Sequence, residues 1–170
     1  MVTKDLVEHI DKTYRTIAKR EGRALLGVSM GGYGALNIAF SRPDVFGAVA
    51  THSAMLLTEI PTIEAGARGG QMRAFPGVFG EPVDPAVWKA VDPLELAKTV
   101  DVKKAPALYF DCGGQDRYGL SKGNEALHKI LDERRIANDF SISPGDHGYE
   151  FVKSVFPKSL AFLKAKLATK

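Results

Sequence analysis

Apolar residues along the chain fall into two kinds of run. Residues 24–28, 46–51, 107–111 and 139–143 form short, nearly continuous apolar or β-branched stretches bounded by Gly, Pro, Asp and Ser, and they predict strands. Between them the spacing changes to three and four. Leu6, Ile10, Tyr14 and Ile17 share one face of a helix predicted over 3–20, ended by Glu21 and Gly22. A second helix follows Ser29 and stops at Ser41-Arg42-Pro43, because the residue before proline avoids the helical region. Residues 85–91 predict a short helix. Another opens at Asp92, with Asp92 as N-cap and Pro93 in the first helical position. Leu127, Ile130, Leu131 and Arg134 are in register on a helix over 121–135. A last helix over 151–166 is expected to kink or restart at Pro157. Residues 55–83, rich in Gly and Pro, predict a lid or binding loop.

Strands alternating with helices predict an α/β fold with a short, mostly parallel sheet of about four strands flanked by helices. One domain over 1–170 accommodates it. In such sheets the loops at the carboxyl ends of the strands carry the site.

Composition narrows the function classes. Apolar content of 45% and charged content of 25% are those of an ordinary globular protein. A net charge of +3 with both signs interspersed offers no basic stripe for nucleic acid, and no apolar run approaches a membrane span, so neither partner is expected. A single cysteine, Cys112, forbids an internal disulfide and leaves the compartment undecided. The lack of a signal-peptide layout at Met1-Val2-Thr3-Lys4-Asp5 tilts the expectation toward the cytoplasm. Scattered histidines and one cysteine give no metal-ligand spacing, and no cofactor is expected.

The chemistry concentrates at Gly27-Val28-Ser29-Met30-Gly31. A predicted strand runs into this Gly-x-Ser-x-Gly stretch and a predicted helix leaves it. That is the grammar of a nucleophile elbow, in which the serine hydroxyl stands exposed at the carboxyl end of a sheet. The backbone N–H of Met30 would then face a developing oxyanion at the positive end of the helix. A phosphate-binding loop is set aside, because the stretch lacks both the Gly-Lys-Ser/Thr ending and the Gly-x-Gly-x-x-Gly spacing.

A serine nucleophile needs a base and an acid that orients the base. His9 and His128 fall on amphipathic helices and are expected to face solvent. His52, after the second strand, is expected to line the pocket as a substrate-binding residue. His147 sits in the Gly/Pro loop after the last strand, where a hydrolase histidine belongs. Asp116, beyond the Gly113-Gly114 turn, is the candidate acid. Asp111 is read as a loop brace and Asp146 as a turn residue. The chain order Ser29, Asp116, His147 is that of an α/β-hydrolase.

At these residues the sequence resembles the putative-esterase branch of the α/β-hydrolases, which includes esterase D (S-formylglutathione hydrolase), feruloyl and acetyl-xylan esterases and the antigen 85 mycolyltransferases. Matching stretches run through nearly the whole chain: His9-Ile-Asp-Lys-Thr-Tyr-Arg, the elbow block Gly27 to Ala35, Arg42-Pro-Asp-Val-Phe-Gly, Phe79-Gly-Glu-Pro, Asp92-Pro-Leu-Glu-Leu, Phe110-Asp-Cys-Gly-Gly-Gln-Asp and Pro144-Gly-Asp-His-Gly-Tyr-Glu-Phe. The resemblance implies Ser29 as nucleophile, Asp116 as acid and His147 as base.

It also implies a departure. Family members carry some hundred residues before the helix that opens this chain, and those supply the first half of the sheet and a second oxyanion donor. Here Met30 N–H is the one donor that can be assigned. The elbow strand Ala24–Val28, central in the family, becomes an apolar edge. The expectation is that a second copy covers it in a homodimer. The leading reading is a serine carboxylesterase acting on a small ester. Gly27, Gly31, His52, Phe75, Phe79 and Trp88 are expected at the substrate. A catalytically impaired module, or a thioesterase or acyltransferase of the same family, is the alternative.

Overall fold

The computed structural model describes residues 2–60 and 75–168. Four strands, β1 (Ala24–Val28), β2 (Ala48–His52), β3 (Ala107–Gly113) and β4 (Asn138–Ser143), form one sheet in the order β1-β2-β3-β4. Every neighbouring pair is parallel, and the register aligns Val28 with His52, His52 with Asp111 and Asp111 with Ser141. β1 and β2 therefore end level, and β3 and β4 end level two residues further on, which places the loops that follow them along one edge.

The expected elements are present, with informative shifts at their ends. The helix after Ser29, α2 (Met30–Ser41), and the helices α4 (Pro85–Val91) and α5 (Pro93–Thr99) form where the caps predict. Asp92 accepts from the Glu95 N–H at 3.3 Å, and burial pushes its carboxyl up to about 6. Inside the Gly/Pro-rich stretch a short helix, α3 (Phe75–Phe79), forms. The helix α6 (Ser121–Glu133) precedes β4.

Three expectations are corrected. The opening helix is short: a helical turn (Val2–Leu6) leads into α1 (Val7–Thr13), and Tyr14 is already extended at φ −122°, ψ 159°. No residue of α1 is buried, so no core contact carries the helix onward. Instead Thr16 donates to Asp11, and Arg23 also pairs with Asp11, folding the chain back toward β1. The second strand begins two residues later than expected, because Phe46 still belongs to the turn closed on the Arg42 carbonyl. The last helix, α7 (Tyr149–Lys166), starts earlier than expected and runs through Pro157 without restarting.

Side-chain parity assigns the layers. On one face Val49, Leu108 and Phe110 pack with Leu36, Ala39 and Phe40 of α2, Ala97 of α5 and Leu127 and Leu131 of α6. On the other, Ala48, Ala50 and Tyr109 meet Leu163 and Phe162 of α7. By the same alternation His52 and Asp111 belong to the α7 face, and Thr51 and Cys112 to the α2/α6 face. No described helix is long and apolar enough to cross a membrane.

Among the described residues β1 is paired on one side only, and its Leu26 and Val28 are 38% and 37% exposed. We propose that a second copy covers this edge by antiparallel β1–β1 pairing about a two-fold axis, which an edge strand offers to its own copy. Light scattering should then give the mass of a dimer, and Leu26→Lys should return it to a monomer. A wild-type monomer at high concentration would contradict the pairing.

Candidate active site

β1 ends at Val28 and α2 begins at Met30, so Ser29 makes the whole turn between them. Its backbone is at φ 54°, ψ −119°, a conformation that costs a non-glycine residue about 1–3 kcal/mol and persists only when its surroundings enforce it. The surroundings are residues 52–55. Ser29 N–H donates to the His52 carbonyl at 2.9 Å, and the Ser29 carbonyl accepts from Met55 N–H and Tyr33 N–H, each at 3.0 Å. The close passage of β1 over α2 depends on Gly27, where an added Cβ would sit 2.1 Å from the Gly31 carbonyl oxygen. A Cβ at Gly31 itself would meet open space, so at Gly31 it is the backbone that Gly27 approaches. Gly32 adds a second close approach, with Ala54 2.9 Å from where its Cβ would be.

Met30 N–H is the first amide of α2, and such an amide has no acceptor within its helix. The Met30 side chain is exposed. The positive end of α2 therefore opens beside the Ser29 hydroxyl.

Asp116 and His147 meet in direct contact. His147 Nδ1 lies 2.8 Å from Asp116 Oδ2, with the Asp116 side chain fully buried and the His147 side chain 13% exposed. Asp116 Oδ1 accepts from Tyr118 N–H at 2.9 Å, and the Cys112 thiol donates to Oδ2 at 3.5 Å. Burial pushes that thiol up to about 12, so it stays a neutral donor. The Tyr118 ring stands edge-on to the imidazole at 4.8 Å. A carboxylate accepting this many bonds orients the ring with Nδ1 as the donor, which leaves Nε2 free for a proton. Among the described residues no hydrogen bond joins Ser29 Oγ to His147. The imidazole opens on a cavity of about 340 Å³ lined by Val28, Ser53, His147, Gly148, Tyr149 and Val152.

The two loops are latched on both sides of that contact. Gln115 N–H donates to the Gly145 carbonyl at 2.9 Å, and Gly145 N–H returns a bond to Gln115 Oε1 at 2.7 Å. On the other side, Asp146 Oδ1 accepts from His147 N–H at 2.6 Å and Arg117 N–H at 2.8 Å, and Asp146 Oδ2 pairs with the Arg117 guanidinium. Gly113 lets the loops touch, since a Cβ there would lie 2.4 Å from the Gly145 carbonyl oxygen. Sequence reading left Gln115 and Arg117 unnoticed and took Asp146 for a turn residue. The signal was their position, one residue either side of Asp116 and one before His147.

The expected substrate contacts fare differently. His52 is fully buried and turned to the α7 face, where Nδ1 lies 2.9 Å and 3.0 Å from the Asp111 oxygens and Nε2 lies 3.0 Å from Ser159 Oγ. It does not line the cavity, because the alternation of β2 points residue 52 away from residues 51 and 53. Among the described residues His52, Asp111 and Ser159 thus form a serine–histidine–aspartate contact closed off from solvent, whereas His147, in contact with Asp116, opens on the cavity. Phe79 and Trp88, 6% and 3% exposed, meet with tilted rings 4.9 Å apart in a core cluster with Met55, Val83, Cys112 and Leu120. They support the floor beneath the Asp116 loop through Cys112. Phe75 opens α3, and its side chain lies outside the described residues. Among the described residues, no three His, Cys, Asp or Glu side chains are grouped to hold a metal ion.

The family model described as Putative esterase matches residues 1–162. The chain belongs to that family. The S-formylglutathione hydrolase of Paracoccus denitrificans (strain Pd 1222) is 31% identical over 137 residues, covering 79% of this chain and 45% of that protein. Among solved structures, an S-formylglutathione hydrolase from Agrobacterium tumefaciens superposes with a TM-score of 0.77 at 22% identity, over 98% of this chain and 56% of that one. A ferulic acid esterase gives 0.72 at 25% identity over 95% and 58%. A fluorophosphonate-binding serine hydrolase of Staphylococcus aureus gives 0.73 at 21% identity over 94% and 60%. The four parallel strands and their helices are thus an α/β-hydrolase arrangement, and the chain spans about half the length of these relatives.

The latch has a pH signature. Its hydrogen bonds and ion pair hold the Asp146 carboxyl down, from an ordinary 3.8 to about 2. A lowered folded-state pKa contributes stability above the unfolded value, and that contribution is lost as pH falls through the folded value. The Asp146→Asn variant should therefore be less stable than wild type by a constant, solvent-screened margin above pH 3.8. That margin should shrink between pH 3.8 and about 2. Parallel melting curves across that window would contradict the latch.

Proposed function

We propose that the chain is a serine carboxylesterase. The observation that carries this reading is the 2.8 Å contact between His147 Nδ1 and the buried Asp116, held at the same sheet edge as a serine in the strained turn between β1 and α2. Ser29 Oγ attacks the ester carbonyl as His147 Nε2 takes its proton. Asp116 holds the imidazole in the correct tautomer and stabilises the imidazolium. Met30 N–H and the positive end of α2 stabilise the tetrahedral oxyanion. Collapse transfers the proton from His147 to the leaving alcohol and forms an acyl-enzyme on Ser29. Water, deprotonated by the same histidine, then releases the acid. The hydroxyl and imidazole must close to hydrogen-bond distance on substrate binding, as unliganded catalytic pairs commonly do.

The cavity beside His147 is walled by Val28, Val152 and Tyr149, which suits an apolar acyl or alcohol group on a small ester. Thioesters share the acyl chemistry, and relatives named S-formylglutathione hydrolase make them natural substrates to include in a trial.

A second reading is an impaired hydrolase module. The observation in its favour is that, among the described residues, no hydrogen bond joins Ser29 Oγ to His147, whose Nδ1 is already held by Asp116.

A panel of short-chain aryl esters, acetylated sugars and thioesters separates the readings. Wild-type protein should turn over at least one class, and Ser29→Ala and His147→Ala should each lose about 10³-fold or more in kcat/KM. Undiminished hydrolysis by Ser29→Ala would overturn the assignment, and no turnover by wild type would favour the module.

A further inference from the structure

The grouping buried under the sheet touches the candidate site through the backbone. His52 Nδ1 faces the Asp111 carboxylate, whose Oδ2 also accepts from Tyr109 OH at 2.8 Å. Ser159 has one hydroxyl hydrogen, and it donates to the Phe156 carbonyl at 2.9 Å. The same Ser159 Oγ lies 3.0 Å from His52 Nε2, so the imidazole is held at both nitrogens. Ser159, His52 and Asp111 are all completely buried. One side chain thereby ties the last rung of β2 to β3 and to α7.

The peptide carrying that side chain grips Ser29. The His52 carbonyl takes the Ser29 N–H, and three residues on, Met55 N–H binds the Ser29 carbonyl. Between them Ser53 turns the chain at φ 43°, its N–H held by the Asp111 carbonyl at 2.8 Å. The Ala54 carbonyl is held by buried Asn124 at 2.9 Å. The segment that enforces the strained serine is thus fixed from β3, α6 and α7, with the His52–Asp111 contact as its side-chain tie to β3.

We propose that His52 is a positioning residue for Ser29: its bond to Asp111, backed by Ser159, sets the His52 carbonyl and through it the backbone geometry of the elbow. The kinetic consequence rests on the esterase reading, but the geometric one does not. Both can therefore be tested apart.

Amide exchange reads the geometry. In His52→Leu the Ser29 and Met55 amides should exchange about tenfold faster or more, while those of Leu127 and Leu131 in α6 keep their protection. The Asn amide of His52→Asn can still donate to Asp111, and it should restore most of the protection at Ser29. Ser159→Ala removes the two Oγ contacts, to His52 Nε2 and the Phe156 carbonyl, and leaves the His52–Asp111 contact in place, and it should produce a smaller acceleration at the same two amides. This variant carries the test if His52→Leu does not fold. In ester hydrolysis the same order should appear in kcat, with a loss of about 10- to 100-fold for His52→Leu and little change in KM. Unchanged exchange at Ser29 in folded His52→Leu or in Ser159→Ala would overturn the proposal, as would His52→Asn behaving like His52→Leu. A wild type without esterase activity would sink the esterase reading and leave the exchange result to decide on His52.

Discussion

The backbone of Ser29 is the constraint on which this molecule turns. A serine at φ 54° and ψ −119° does not stay there on its own account. Residues 52–55 hold it with two hydrogen bonds, and the close approaches at Gly27 and Gly32 let the strand and helix on either side pack near enough for those bonds to form. The parallel register then does the rest. It ends β1 level with β2 and, two residues further on, β3 level with β4, so loops distant in sequence leave the sheet along one edge, where Asp116 and His147 meet.

Sheet parity explains why the His52–Asp111 and His147–Asp116 contacts have opposite fates. Residues in the strands alternate between a face covered by α2, α5 and α6 and a face covered by α7. His52 and Asp111 fall inside strands, on the α7 face, and are closed off from solvent. Asp116 and His147 lie beyond strand ends, where the chain can turn them toward the cavity. The same side-chain types therefore brace the fold in one place and, in the proposed esterase reading, carry acyl chemistry in the other, and location relative to the strand end separates the two.

The sequence made the fold legible wherever local chemistry governed it. The β1 boundaries, the elbow, the Asp92 cap and the meeting of Asp116 with His147 follow from apolar runs, glycine placement and chain order. What failed depended on tertiary contacts. The opening helix stops at Thr13 because no core supports it, and Asp11 draws Thr16 and Arg23 inward. Pro157 sits inside an uninterrupted α7. His52 was placed at the pocket because nothing local marked Ser159, 107 residues away, as its partner. Trp88 and Phe79 read as pocket aromatics, yet they pack against each other in the core. Membership in the esterase family agrees with the resemblance carried by the elbow block and the Asp116 and His147 loops.

In the proposed mechanism Ser29, and no other serine, is the nucleophile, activated by His147. Incubation with a fluorophosphonate, followed by intact mass and peptide mapping, tests this most directly. The expected result is one adduct per chain, on Ser29, abolished in His147→Ala and absent from Ser159. No adduct, or an adduct on another serine, would contradict it.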